Sequence, residues 1–359
     1  MAGVLVVVPS VVSALPVEVA PIEPARLAEK IMGSAERPYH GYAESSGRLG
    51  VPELPNLAQV SSLLTGTTRI RSWYDSPTRW RFDVLSPFGN ERDTYGTPLG
   101  DAIWDYGANL LTQVVGESPV RLPRAGDVLP PDLARRVLGA GSGDPLSPLP
   151  ARREAGVAAA GLRVRPADPD TSIGQVDIWA DPDSGLPVRV EVTARGADRP
   201  VLVSRFLELV QERPADSVLA VSQPPDGGFT VTSEPDIERA LGTNAPVLFP
   251  YRLAGRSLVT SSVAGLPGVG QYGSGLSSFV VLALPRNLAG SATDAARKAG
   301  ATEVALPGGT GVSLSVAPVS VVIVRSNVAR RSYLLAGLVI PSVLAQAAAE
   351  LSTVPRGGA

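Results

Sequence analysis

Gln175-Val176-Asp177-Ile178-Trp179-Ala180-Asp181-Pro182-Asp183-Ser184-Gly185-Leu186-Pro187-Val188-Arg189-Val190-Glu191-Val192-Thr193 is the stretch that decides the fold class. Residues 175–180 run out as a strand, Asp181 to Gly185 supply turn chemistry, and Leu186 to Thr193 return. Val188, Val190 and Val192 point one way, Arg189 and Glu191 the other. That period is the signature of antiparallel strands with one face on a core and one in water.

The same period recurs upstream. Ile70, Ser72 and Tyr74 alternate with Arg69, Arg71 and Trp73. After a turn at Ser76-Pro77, Trp80, Phe82 and Val84 alternate with Arg79, Arg81 and Asp83. Residues 90–94 and 102–106 continue as strands, and Gly107-Ala108-Asn109 turns the chain into Leu110 to Val115. Val201 to Val210 adds another strand. Two short helices interrupt the strands. One starts at Pro24 with Leu27 and Ile31 on one face; Pro130-Pro131 opens the other, over 132–138. Residues 139–150 are Gly-, Ser- and Pro-rich and read as a loop.

The alternation predicts one apolar sheet face, lined by Ile70, Tyr74, Trp80, Phe82, Val84, Trp104, Tyr106, Val188, Val190 and Val192. Such a face must be covered by the chain's own helices or hold an apolar ligand. A parity error of one residue in any strand would move its set to the other face. Arg69, Arg71, Arg79 and Arg81 are expected together on the opposite face, in solvent or against anionic headgroups.

Gln223 to Gly228 reads as a linker, after which the pattern restarts. Leu276 to Leu284 is an apolar strand, and Ser291 to Ala299 a helix with Ser291 as N-cap and Gly300 as terminator. Residues 312–324 and 332–340 pair around Asn327 to Arg331, and Pro341 opens a final helix to about Leu351. Pro341 divides the apolar run Ser332 to Ala349, which favours strand plus helix over a membrane span. The expected organisation is an apolar leader over 1–20, a first domain over 21–224, a linker over 225–245 and a second domain over 246–359. The first charge in the chain is Glu18. The run before it resembles the core of a secretory signal peptide without its basic n-region, so an exported, extracytoplasmic protein is expected.

Composition narrows the chemistry. The chain of 359 residues has no cysteine, which removes disulfides, thiolate metal sites and cysteine nucleophiles. A single histidine, His40, cannot supply the histidine pairs of most catalytic metal sites. The net charge of −2 argues against a nucleic-acid partner. Gly268-Val269-Gly270-Gln271-Tyr272-Gly273 matches a dinucleotide fingerprint, but a strand-like run follows it where a helix is required. It is expected as a turn. Pro307 to Gly311 lacks a P-loop ending, and Asp181-Pro182-Asp183-Ser184-Gly185 lacks the distal glutamate of a calcium loop, since Val192 stands there. No serine occupies a nucleophile elbow. No catalytic residue, metal or cofactor is therefore expected.

Together these segments resemble a known arrangement. Arg71-Ser72-Trp73-Tyr74 and Ser76-Pro77-Thr78-Arg79-Trp80-Arg81-Phe82-Asp83-Val84 are similar to strands of the LolA/LolB lipoprotein-carrier superfamily. Ile103-Trp104-Asp105-Tyr106 and the hairpin from Val176 to Val190 resemble further strands of it. Tyr272-Gly273-Ser274-Gly275-Leu276-Ser277-Ser278-Phe279 and Leu338-Val339-Ile340-Pro341 resemble the C-terminal domain of the RseB/MucB sigma-factor regulators. The resemblance implies an α+β, mainly antiparallel fold: an open curved half-barrel plugged by helices, then a smaller α+β domain. It implies a non-catalytic lipid-sensing regulator that binds acyl-chain lipid or lipoprotein, lies peripheral to the membrane and grips an anti-sigma factor. A cell-envelope carrier of lipid or lipoprotein, or an envelope scaffold without a ligand, are the competing expectations.

Overall fold

The computed structural model describes residues 17–48, 63, 65–85, 91–115, 123–221, 226–232, 247–259 and 268–355. The leader and the linker expected from the sequence lie mostly outside them.

The first sheet is built from β1 Tyr39–Gly47, β2 Thr67–Ser76, β3 Arg79–Leu85, β4 Glu91–Thr97, β5 Gly100–Asp105 and β6 Leu110–Val115. It continues with β7 Leu146–Glu154, β8 Val157–Val164, β9 Ile173–Ala180, β10 Pro187–Ala194, β11 Leu202–Val210 and β12 Gly228–Thr232. The strand order is β12-β6-β5-β4-β3-β2-β1-β11-β10-β9-β8-β7, so β1 joins two meanders into one open sheet. Every pair is antiparallel except β12 with β6. The β9–β10 hairpin forms as its turn chemistry demands. Gly185, at φ +75, donates its N–H to the Asp181 carbonyl at 2.9 Å, and Asp181 Oδ1 accepts from the Asp183 N–H at 2.8 Å.

α1 Pro24–Met32 and α2 Pro130–Ala140 lie on one face of this sheet, the inner face. Leu27 and Ile31 of α1 and Ala134, Val137 and Leu138 of α2 pack on Leu162, Val176, Ile178, Val190 and Val192. The outer face carries ion pairs: Arg163 with Asp177 at 2.6 Å, Arg189 with Glu191 at 2.7 Å and Arg81 with Asp83 at 2.7 Å. Arg69 and Arg71 share it with Arg81, as the alternation requires.

Strands also form where the sequence pattern points elsewhere. Residues 146–150, expected as loop, open β7; Pro148 and Pro150 are tolerated because β7 is an edge strand. β8 escapes the period-two reading because Ala159, Ala160, Gly161 and Leu162 are apolar or small without alternation and the strand is covered on both faces. Gly228 to Thr232, expected within the linker, pairs with β6. To reach that edge the chain crosses the outer face. Arg213 bonds Asp75 at 2.8 Å, and the short helix α3 Asp216–Leu219 holds Asp216 against Arg79 at 2.8 Å.

The second sheet holds β15 Val269–Tyr272, β16 Phe279–Leu284, β17 Thr302–Leu306, β18 Gly309–Val316, β19 Val319–Ser326 and β20 Arg331–Gly337, in the order β15-β16-β20-β19-β18-β17. A small ribbon, β13 Arg252–Leu253 with β14 Arg256–Ser257, precedes it. α4 Arg286–Lys298 covers one face through Ala292 and Ala296, over Val312, Ile323 and Leu334. α5 Pro341–Thr353 covers the other through Val343, Leu344, Ala347 and Leu351. Among the described residues, no helix is long and apolar enough to cross a membrane; the run Ser332 to Ala349 is the end of β20 followed by α5. The Gly268 to Gly273 stretch is the strand β15 and not a turn. α4 begins at Arg286, so Ser291 is interior and not an N-cap. Residues 312–324 are not one strand: a turn at Ala317-Pro318 splits them into β18 and β19.

The two sheets meet at residues 168–172. The Thr171 hydroxyl reaches the carbonyl oxygens of Leu276 at 2.7 Å and Leu338 at 3.0 Å. Ser172 N–H donates to Leu338 O at 3.0 Å, Ile340 N–H to Asp170 O at 2.9 Å, and Arg256 pairs with Asp170 at 2.9 Å. Leu276 packs into the core beneath α1 and α2.

Candidate functional site: an aromatic cavity on the inner face

Strand register decides which side chains can reach a ligand. Trp80 stands opposite Tyr74 and Gly96, Phe82 opposite Ser72 and Thr94, and Val84 opposite Ile70 and Arg92. All point to the inner face. Tyr74, Trp80 and Phe82 form one wall of a cavity of about 330 Å³, near the lower end of small-ligand sites. The opposite wall is the 3-10 turn Ala125–Val128 and the start of α2.

Trp80 and Phe82 stack with ring centroids 4.5 Å apart. Two glycines make the room. A Cβ on Gly96 would overlap the Trp80 indole, and one on Gly126 would overlap the Phe82 ring. The Trp80 N–H donates to Pro77 O at 3.2 Å and Tyr74 O–H to Ala35 O at 2.7 Å, so the wall's polar atoms are committed. Burial pushes the Tyr74 hydroxyl up to about 12, which keeps it neutral. The rim is charged but balanced. Arg124 pairs with Asp101, Arg135 with Asp132 at 2.7 Å, and Arg136 with Asp127 at 2.5 Å. Aromatic rings wall one side and the charged residues of the lining pair off, so the site offers an apolar surface without net charge and suits an apolar chain better than a charged one.

The other residues expected on this face divide into two groups. Ile70 is fully buried with Tyr39, Ala43 and Phe206, and Val190 and Val192 lie beneath α1 and α2. They are inner-face residues already covered by protein. Trp104, Tyr106 and Val188 are on the outer face, a correction to the expected lining. Trp104 pairs with Asp93 and packs with Tyr95, Ala102 and Leu111; the inner-face residue of that strand is Ile103. Tyr106 O–H donates to Asp93 Oδ2 at 3.2 Å on the same outer side. Val188 lies in an irregularity of the β9–β10 register between Pro187 and Arg189, and packs with Trp179 and Ala159.

The outer face holds a pair of buried acids. Asp83 and Asp93 stand directly opposite each other, and Arg81 bridges them at 2.7 and 2.8 Å. Arg81 is itself stacked over Trp73 and Tyr95. Burial, then the Asp83 charge, raises the Asp93 carboxyl to about 6. His40 lies on β1 opposite Trp73 and Val210, away from this pair.

No protein-family model matches the chain, and no curated protein does. A crystal structure of MucB in complex with MucA(peri) matches 94% of this chain and 100% of its own at 14% identity, with a TM-score of 0.51. The complex structure of MucA/MucB from Pseudomonas aeruginosa matches 93% of this chain and 97% of its own at 16% identity and a TM-score of 0.45. A LolA superfamily protein from Nitrosomonas europaea covers 56% of this chain at 11% identity and a TM-score of 0.25. The first of these likenesses shows the fold.

Proposed function

We propose that this chain, built on the MucB-type fold, is an exported, non-catalytic lipid-binding regulator of the cell envelope. Its first sheet accepts an acyl chain of a lipid or lipoprotein, and its second unit grips a membrane-bound protein. The observation that carries the reading is the cavity between Tyr74, Trp80, Phe82 and the 125–128 turn. Aromatic rings line one side of it, and the charged residues of its lining pair off. A chain there needs no polar machinery, because each buried methylene contributes about 0.8 kcal/mol.

The likeness to MucB in complex with MucA(peri) supports a protein partner of the same kind, an anti-sigma factor's exported segment. Residues 21–224 act as the lipid-binding domain and 246–359 as the partner-binding domain. Lipid and partner are coupled only if lipid prefers one arrangement of the two units. The contacts at residues 168–172 are the place where such a preference would be felt.

Native mass spectrometry of the protein extracted gently from its host tests the lipid half. Co-purifying lipid, lost in Trp80→Ala, is expected. Pull-down from solubilised membranes, with and without added lipid, tests the partner half. Absence of both lipid and uptake of a fluorescent fatty acid would leave only an envelope scaffold.

A further inference from the structure

We propose that the groove between α4 and one end of the second sheet is a separate site for a phosphate-bearing ligand. The groove encloses about 1030 Å³. Three of the α4 residues that border it, Ala289, Gly290 and Thr293, are small and leave room beside the sheet. Facing them is a row that the register places side by side: Thr310 on β18, Arg325 on β19 and Ser332 on β20. Arg330, at a left-handed φ of +52, comes from the β19–β20 turn, and Arg331 opens β20 opposite Ser326 at the edge of the groove.

The charges of the groove are not balanced. Arg297 of α4 is committed to Glu303 at 2.7 Å and to Asp294 at 3.5 Å, which uses both acids of the lining. Among the described residues, Arg325, Arg330 and Arg331 have no ion pair, so three positive charges stay uncommitted at one concave place. In the aromatic cavity of the first sheet, by contrast, each rim arginine has its own aspartate. Like charges held together repel, and a concave low-dielectric wall concentrates their field. Guanidinium forks match phosphate oxygens, and the Thr310 and Ser332 hydroxyls stand beside Arg325 to complete the donors. Leu284, Val312 and Ile323 offer an apolar floor. The ligand is therefore a phosphate ester, either the headgroup of an anionic lipid or a soluble ester. This site is separate from the acyl-chain cavity of the first sheet.

Calorimetric titration of the full chain tests it, with inorganic phosphate, glycerol 3-phosphate, dihexanoyl-phosphatidylglycerol, dihexanoyl-phosphatidylcholine and a hexaglutamate peptide. At least one phosphate ligand other than the phosphatidylcholine should bind, and its affinity should fall about tenfold in Arg325→Ser/Arg331→Ser. Arg330→Gly should weaken binding too; glycine suits the left-handed backbone, so this variant keeps the test sound if the double variant misfolds. Arg199→Ser, on the first sheet's β10–β11 turn, should change nothing. The two sources separate in the Trp80→Ala background, where the acyl-chain cavity no longer contributes: a headgroup site binds the phosphatidylglycerol more tightly than glycerol 3-phosphate, a soluble-ester site binds them alike. The proposal falls if no phosphate ligand binds or if phosphatidylcholine matches phosphatidylglycerol. It falls equally if hexaglutamate binds best, or if Arg199→Ser loses as much as the double variant.

Discussion

Trp80 lies almost parallel to Phe82, with ring centroids 4.5 Å and planes 16° apart, although the two are neighbours on one face of the same strand. Side chains on one face normally stand upright beside each other. Here both rings can lean because Gly96 leaves room under the indole and Gly126 room beside the phenyl ring. The cavity is thus set as much by two absent side chains as by the aromatic ones present.

The first prediction follows from those glycines. Gly126→Ala should cost about 1–3 kcal/mol, the usual range for forced overpacking, and should lower uptake of a fluorescent fatty acid. Chemical denaturation and a fatty-acid titration on the same sample read both. Unchanged stability with unchanged uptake would mean that the turn yields and does not wall the cavity.

The second concerns pH. Asp93 is fully buried and its carboxyl is raised to about 6, first by burial and then by the Asp83 charge. The groups around it are Arg81, Asp83 and Glu91 with the Tyr95 and Tyr106 hydroxyls. A carboxyl with a folded value above its unfolded one favours the protonated folded state. Its contribution is therefore full below about pH 4 and is lost as pH rises through about 6, on the order of 2 kcal/mol in all. Other carboxyls move the absolute curve, so the comparison is the readout. Asp93→Asn should flatten the fall in urea midpoint between pH 4 and pH 7, and parallel curves for variant and native protein would refute the assignment.

Much of this architecture is legible in the sequence, and the misses share a cause. The β9–β10 hairpin, α1 and α5 are readable because turn residues, capping prolines and periodic apolar positions agree locally. Faces are harder. Ile103 and Trp104 are both apolar neighbours, so alternation alone cannot say which looks inward; the Asp93–Trp104 pairing across β4 and β5 decides it. Val188 keeps the right period and loses its face to a register shift. The cavity's glycines carry no local signal, because each matters only through a ring brought to it by the tertiary fold.

The third prediction tests how firmly the two sheets are joined. The buried Thr171 hydroxyl serves the Leu276 and Leu338 carbonyls. Thr171→Val removes it at nearly constant shape and leaves the Leu276 carbonyl without this donor, while Leu338 keeps the Ser172 N–H, at about 1–3 kcal/mol. Calorimetry should show a single transition in the native protein that broadens or divides in the variant. An unaltered single transition would mean that the junction rests on the Leu276 packing and not on the polar clasp.

The last prediction separates the two faces of the first sheet. Trp80 is half-buried on the inner face and Tyr106 is 50% exposed on the outer one, so neither truncation empties a deep core. Trp80→Ala removes the largest ring of the cavity wall and should abolish most fatty-acid uptake. Tyr106→Ala takes away a hydroxyl that donates to Asp93 and part of the cover over Trp104, and should leave uptake as it was. Its effect belongs to the outer network instead: without the Tyr106 donor the Asp93 carboxylate loses stabilisation, so the pH-dependent fall in stability should deepen. If Tyr106→Ala were the variant that lost uptake and Trp80→Ala kept it, the ligand would bind the charged outer face and the reading of the inner cavity would be wrong.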